Sequence, residues 1–412
     1  VRITLAPASA APSAAPKPAG PPPTIRTSVS AITCPLRLGK SIILIGGYNL
    51  GDEAILQGIV SELRNSVPAE ITVFSRDAED TLKRHKVEKA VTVRNLIRKE
   101  VEPEIEKLDL FILGGGGILY DAELKFYLRE VEIAIEKGVP VFVYAVSAGP
   151  LQKTENQEYL RDILSRADIV TVREKSAKKI LEDAGVRKEI IVTADPALLL
   201  KPEPLPPDAL KRENIDNKKC IVGMSVREPG AAAPDIDDEL YHGILANAAD
   251  YMVDRFNADI LFIPMEQRKL DVQHSHAVIS KMLRPQRAWV LKEEYTSGQM
   301  LNIMKQLSFA VGMRLHFLIF AALQEIPFVA LPYSAKVGGF LDDMKVQIPP
   351  IHLVNSGRLI AYIDKFWDEQ RTVKSNIHNI LPELKQRALE TNKLAVELLY
   401  KQTKRLDKAL AL

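Results

Sequence analysis

From Ser41 onward the chain alternates short apolar runs with longer amphipathic stretches, and after the segment KPEPLPP (residues 201–207) the alternation starts again. In the first stretch SIILIGG, EITVFS, LDLFILGGGG, PVFVYAVSAG and ADIVTVRE read as buried strands. DEAILQGIVSELRNS sets Ile55, Ile59 and Leu63 at helical spacing, a Lys/Glu-rich helical stretch follows EITVFS, and residues 130–137 and 159–165 read as further helices. The second stretch repeats the pattern with CIVGMSVRE, ADILFIPM, RAWVLKEE, SFAVGMRLHF and PFVALPY, and with helices over residues 245–256 and through Val278. Strand–helix alternation of this kind predicts parallel sheets covered by helices. The reading is therefore an α/β chain of two doubly wound domains, residues 41–200 and 208–356, joined by the proline-rich linker 201–207. Ligands of such folds sit at the carboxyl ends of the strands, so a cleft between the domains is expected. Residues 357–412 are charged and helical.

Composition narrows the function. With 55 Lys+Arg against 53 Asp+Glu, the chain has no overall field to hold nucleic acid or an anionic membrane, so any anion site must be local. The two cysteines, Cys34 and Cys220, lie far apart, which argues against a zinc or disulfide framework and fits a reducing compartment. No run of 18 apolar residues is present to span a membrane. Residues 1–40 contain no acidic residue, and APASAAPSAAPKPAGPPP is low-complexity sequence that cannot build a core, so a disordered tail is expected. Prolines interrupt every candidate secretory segment there, and an arginine-rich amphipathic transit pattern is missing. The chain starts at Val1 and has no methionine before Met224, which points to a fragment or a non-Met start codon.

Five constellations carry chemistry. GGYNLGDEAIL (residues 46–56) lies at a strand-to-helix junction, where glycines allow close approach and the helix end attracts anions. Gly47, Asn49, Asp52 and Glu53 are its candidates, although Asp52 equally suits a helix cap and Glu53 a first-turn acid. It is not G-x-G-x-x-G, so a dinucleotide site is poorly supported. In LGGGGILYD, four consecutive glycines favour approach by a ligand or a second backbone, with Gly115, Gly116 and Asp121 as candidates; Asp121 is equally readable as a surface acid. Arg227 ends the strand GMSV and is aimed at the cleft, with pairing to Glu228 as its bland alternative. VGMRLHF places Arg314 and His316 at a strand-to-helix junction, where either would be expensive without a partner. YSAKVGGF offers Lys336, otherwise an ordinary surface lysine. The remaining histidines, His85, His242, His274, His276, His352 and His378, are read as structural. Cations and one proton carrier at strand ends suit a small, multiply charged anion, and no metal-ligand spacing, phosphate loop or nucleophile elbow accompanies them.

Taken in order, GGYNLGDEAIL, ILGGGGILYD, VSAGPL, VRE at 172–174, TADPALLL, SVRE, VGMRLHFLIFAA and KVGGFLDDM resemble the polysaccharide pyruvyl transferase family over about residues 41–344. The likeness is greatest to the branch that pyruvylates secondary cell-wall polysaccharide for anchoring surface-layer proteins. The resemblance implies a fold similar to the two-domain glycosyltransferase B architecture and phosphoenolpyruvate as donor, with no redox cofactor or nucleotide. The implied product is a cyclic pyruvate ketal on a cell-wall sugar such as N-acetylmannosamine, free or lipid-linked. By family position His316 is the acid/base, Arg314 and Arg227 hold the donor with help from Lys336, and Asp52, Glu53 and Asp121 serve the acceptor. Ser334-Ala335 stands where relatives often carry Asp-Pro, and QRKLD (residues 267–271) is only loosely family-like. A cytoplasmic site follows from the donor, with the inner membrane face involved if the acceptor is lipid-linked. The competing readings are a nucleotide-sugar glycosyltransferase on the same architecture and a polysaccharide-binding module without turnover.

Overall fold

In a computed structural model, the structure describes residues 40–44, 49–93, 96–216, 218–228, 237–266, 270–331, 335–346 and 354–410. The described residues belong to one compact unit. Its first sheet contains β1 (Lys40–Leu44), β2 (Glu70–Ser75), β3 (Lys89–Thr92), β4 (Leu110–Leu113), β5 (Gly116–Leu119), β6 (Val141–Ala148), β7 (Ile169–Val172) and β8 (Ile190–Val192). The order is β3-β2-β1-β4-β6-β7-β8, with β5 beside the far end of β6. The second contains β9 (Ile221–Ser225), β10 (Asp259–Phe262), β11 (Ala288–Val290), β12 (Phe309–Gly312) and β13 (Phe328–Ala330) in the order β11-β10-β9-β12-β13. All pairs are parallel; Ile43 lies opposite Val73 and Ile112, and Met224 opposite Phe262 and Val311. Strand order reverses at β1/β4 and at β9/β12, so each half is doubly wound with its own switch point.

The connecting helices are α1 (Leu50–Ser66), α2 (Ala78–Arg84), α3 (Arg98–Ile105), α4 (Leu124–Glu136), α5 (Thr154–Arg166), α6 (Lys175–Asp183) and α7 (Ala209–Arg212). They continue with α8 (Asp238–Phe256), α9 (Leu270–Lys281), α10 (Ser297–Met304), α11 (Leu315–Leu323), α12 (Ala335–Asp343), α13 (Ser356–Asp368) and α14 (Gln370–Leu410). Among the described residues no helix is long and apolar enough to cross a membrane.

Three elements depart from the sequence reading. β3 (KAVT) has no fully buried residue and lies at the sheet edge, so it carries no apolar run to detect. β8 is only three residues long. The run LDLFILGGGG is two strands rather than one, because Gly116 takes φ +102° and redirects the backbone between β4 and β5.

One hydrophobic cluster joins the halves. Ile55, Ile59 and Leu63 of α1 share it with Leu315, Ile319 and Phe320 of α11, and with Leu384 and Ala388 of α14. Burying each Ile or Leu there is worth about 1.5–3 kcal/mol. α11 (LHFLIFAAL) is apolar on nearly every side because it is surrounded, with only His316 and Leu323 less than fully buried. α14 straps both halves: Arg387 pairs with Asp343 of α12 at 3.0 Å and donates to the Thr193 carbonyl after β8 at 2.6 Å. Residues 201–207 carry no helix or strand. They are pinned by Glu203, which accepts from Gln57 of α1 at 2.7 Å and from Thr296, the cap of α10, at 2.5 Å.

Candidate active site

The first turn of α1 meets the first turns of α11 and α12 and the carboxyl ends of β7 and β8. Asn49 caps α1 by accepting from the Gly51 amide at 2.9 Å, which fixes the helix start and sets Asp52 and Glu53 in its first turn. Two glycines one heptad apart allow α1 to come this close. A Cβ on Gly51 would fall 1.9 Å from His316 Nδ1, and one on Gly58 would fall 2.4 Å from the Pro196 carbonyl oxygen. The glycine run arrives from the other side. A Cβ on Gly115 would lie 3.0 Å from Ile55 Cγ2, one on Gly116 3.3 Å from Asp52 Oδ1, and one on Gly117 3.8 Å from Lys336 Nζ. Gly115, Gly116 and Gly117 thus admit side chains of α1 and α12.

Behind this junction lies a buried charge chain. Arg173, just after β7, donates from Nη1 to Asp195 Oδ2 at 2.7 Å and from Nε to Glu174 Oε2 at 3.1 Å. Ser147 donates to the other oxygen of Glu174. Asp195 follows β8 and caps the short 3-10 helix Pro196–Leu199, accepting from the Ala197 amide at 2.9 Å. His316 Nε2 lies 3.5 Å from Asp195 Oδ2; it is buried and makes no hydrogen bond. A narrow cavity beside the chain is lined in part by Arg173, Asp195, Leu315 and Lys336.

The carboxylates of this cluster are pushed in opposite directions. Burial raises the Asp52 carboxyl above its ordinary value, and nearby His316, Lys336 and Arg173 offset only part of that. Burial also raises Glu174, against the pull of Arg173. Asp195 suffers the same desolvation, but Arg173 and His316 together hold it well below the usual carboxylate range. One acid close to His316 is therefore biased toward its neutral form and another is held as an anion, an arrangement suited to proton transfer.

Arg314 and His316, two residues apart, do not share an environment. Arg314 is buried and turns toward the β10 end, donating from Nε to Asp271 Oδ2 at 3.0 Å and from Nη2 to Glu266 Oε2 at 3.1 Å, with a second bond to Asp271 Oδ1. Asp271, fully buried, also accepts from the amides of Met265 and Glu266 at 3.1 and 3.2 Å. Arg227 pairs with Glu228. Glu228 lies 3.9 Å from His274, whose Nδ1 is 2.7 Å from His242 Nε2.

The other candidates disperse. Glu53 is buried against His85, with Oε2 2.5 Å from Nε2. Asp121 accepts from the Gln152 amide at 2.7 Å and from Asn156 Nδ2 at 2.9 Å, organising the entry to α5. Gly47, residues 267–269 and Ser334 lie outside the described residues. Asp195, Arg173 and Gly51 join the site although they are not among the sequence candidates; the VRE and TADPALLL segments carry the two charges. Among the described residues no three His, Cys, Asp or Glu side chains are grouped to hold a metal ion.

Comparison with known proteins gives a family and a fold. A family model described as polysaccharide pyruvyl transferase matches residues 49–335. No curated protein matches the chain by sequence. Among solved structures, Anabaena HepE in complex with UDP and glucose is similar with TM-score 0.60 at 15% identity, covering 88% of this chain and 100% of that one. UDP-GlcNAc 2-epimerase from Neisseria meningitidis, bound to UDP-GlcNAc, gives 0.56 at 12% identity over 88% and 100%. A glycosyltransferase from Rickettsia africae gives 0.60 at 11% identity over 88% and 99%. At such identities the likeness establishes the fold alone: two Rossmann-like halves with parallel sheets, in the manner of glycosyltransferase B enzymes and sugar epimerases.

Proposed function

The chain belongs to the polysaccharide pyruvyl transferase family, and from that premise we propose that it moves the pyruvyl group of phosphoenolpyruvate onto a cell-wall sugar or its lipid-linked precursor. The proposed acceptor is N-acetylmannosamine, as in the secondary cell-wall branch that serves surface-layer anchoring, and the product is a cyclic ketal. The observation that carries this reading is the setting of His316, with Asp195 3.5 Å from Nε2 and Asp52, Lys336 and Arg173 around it.

The chemistry assigns a task to each group. His316 protonates the methylene carbon of the donor, whose double-bond electrons form the new C–H bond and leave an oxocarbenium-like centre. A sugar hydroxyl attacks that centre; the bond to phosphate breaks with its electrons on the leaving oxygen, and a second hydroxyl closes the ketal. Of the two hydroxyl protons, one replaces the proton given to carbon and the other leaves on phosphate. Lys336, close to Asp52, supplies positive charge to the donor carboxylate and phosphate, while Arg173, held by Asp195 and Glu174, keeps those two carboxylates in place. The imidazole, neutral after protonating the donor, takes the proton of the attacking hydroxyl, and Asp52, biased toward its protonated form by burial, orients that hydroxyl by hydrogen bonding. Arg314 and Arg227, expected from the sequence to grip the donor, have carboxylate partners, so here their role is to frame the second sheet's strand ends. No redox cofactor or nucleotide enters the scheme. Phosphoenolpyruvate places the reaction in the cytoplasm, and a lipid-linked acceptor brings the protein to the inner membrane face.

Mass spectrometry of lipid-linked cell-wall saccharides incubated with the protein and phosphoenolpyruvate should show one added pyruvate ketal. Calorimetry should show binding of phosphoenolpyruvate; tight binding of a nucleoside diphosphate with none of phosphoenolpyruvate would instead identify a nucleotide-sugar glycosyltransferase. Donor binding without any turnover would point to a binding module.

A further inference from the structure

We propose that Asp195 is the positioning residue of His316: it fixes the imidazole with a proton on Nε2, so that Nδ1, the nitrogen against the first turn of α1, is the atom that carries the transferred proton. This rests on the reading of His316 as the proton carrier. Two independent placements lead to it. Nε2 is buried, makes no hydrogen bond, and has the Asp195 carboxylate 3.5 Å away. A lone pair there would oppose the lone pairs of an anion, whereas an N–H is attracted to it and is spared burial without any partner. Nδ1 faces the opposite way, so close to Gly51 that a Cβ there would fall 1.9 Å from it. That is the amino-terminal end of a 17-residue helix, whose partial positive charge favours a bare lone pair on the facing nitrogen.

Asp195 suits the task because it is itself held. Its Oδ2 accepts from Arg173 at 2.7 Å and its Oδ1 from the Ala197 amide at 2.9 Å, so the carboxylate cannot swing away from the ring. Asp195 comes from the end of β8 and His316 from α11 beyond β12, so the pair exists only when both halves are assembled. Asp52 on α1 and Asp195 beyond β8 interact with the ring, and Lys336 on α12 and Arg173 beyond β7 face those carboxylates in turn. In the transfer step the doubly protonated ring gives its Nδ1 proton to the donor methylene carbon and is left neutral with the proton on Nε2. A proton taken from the acceptor hydroxyl restores it.

The test is a long-range proton–nitrogen correlation spectrum of the full-length protein labelled with 15N-histidine, at alkaline pH where the ring is neutral. His316 is assigned by its loss in His316→Gln. The expected result is a protonated Nε2 and a bare Nδ1; a ring protonated on Nδ1 overturns the proposal without recourse to any activity. In a folded Asp195→Asn variant, kcat for pyruvyl transfer should fall by about 10²- to 10⁴-fold. KM for phosphoenolpyruvate should stay within about threefold, and the basic limb of the pH–rate profile should move to lower pH. An unchanged kcat and profile contradict the proposal, and if that variant does not fold the wild-type spectrum decides alone. Absence of any turnover of phosphoenolpyruvate by the wild type would sink the functional reading while leaving the tautomer to be read directly.

Discussion

Two charge clusters sit at strand ends of the two sheets, and they differ in what stands beside their ion pairs. At the ends of β9, β10 and β12, Arg314 is held by Asp271 and Glu266, Asp271 is completed by two backbone amides, and Arg227 is met by Glu228. At the ends of β7 and β8, Arg173 and Asp195 are equally well paired, but His316 beside them keeps a buried nitrogen without a hydrogen bond, and burial raises Asp52. At the second sheet's cluster Ser225 Oγ, at the end of β9, is also buried without a hydrogen bond, so the contrast lies in the kind of group: a hydroxyl there, a proton carrier here. An imidazole nitrogen left without a hydrogen bond beside ion-paired charges is in reserve for proton transfer.

The sharpest way to break this contrast is to remove each key residue and measure both stability and rate. His316→Gln should lower pyruvyl transfer by about 10³-fold or more while leaving the urea midpoint unchanged; a large stability loss would put His316 among the framework residues. Arg314→Met should instead destabilise the fold by about 3–5 kcal/mol in urea denaturation, because fully buried Asp271 is left uncompensated. Adding Asp271→Asn should recover much of that loss, a coupling expected only if the pair is a closed structural unit.

Gly51→Ala tests the contact rather than the charge. Its Cβ collides with the imidazole, so the rate should drop by about 10²-fold through misplacement of His316, with a normal circular dichroism spectrum. The smallest effect is expected from Asp52→Asn on stability. Because burial raises the Asp52 carboxyl in the folded state, its ionised form opposes folding once the pH exceeds the unfolded value of about 3.9. The variant should therefore have a higher urea midpoint than wild type at pH 7, with the gain gone below about pH 4. Asp195 has the opposite sign: its lowered folded value stabilises above the unfolded value, and that contribution is lost as pH falls toward the folded one.

Much of the fold was legible because buried parallel strands must be continuously apolar. LFIL, VFVYAVSA and DILF announce themselves, whereas KAVT at an edge and the three-residue IIV do not. The site was legible less evenly. The four glycines and the unusual polar pair of VGMRLHF marked the right junctions. Spacing alone placed Arg314 and His316 together, but the turn between β12 and α11 sends one side chain toward Asp271 and the other toward Asp195. Which carboxylate meets which cation depends on how the two sheets dock, and no short-range pattern records that. The roles of Asp195 and Gly51 follow only from packing across more than a hundred residues of chain.

The most direct measurement is phosphate release from phosphoenolpyruvate, dependent on an N-acetylmannosamine glycoside as acceptor, for wild type, His316→Gln and Arg314→Lys at a temperature where all three are folded. His316→Gln should lose about 10³-fold in kcat, while Arg314→Lys should stay within about tenfold of wild type with little change in KM for the donor. An Arg314→Lys variant that loses as much as His316→Gln, with a raised KM for phosphoenolpyruvate, would contradict the assignment and put the donor on the second cluster.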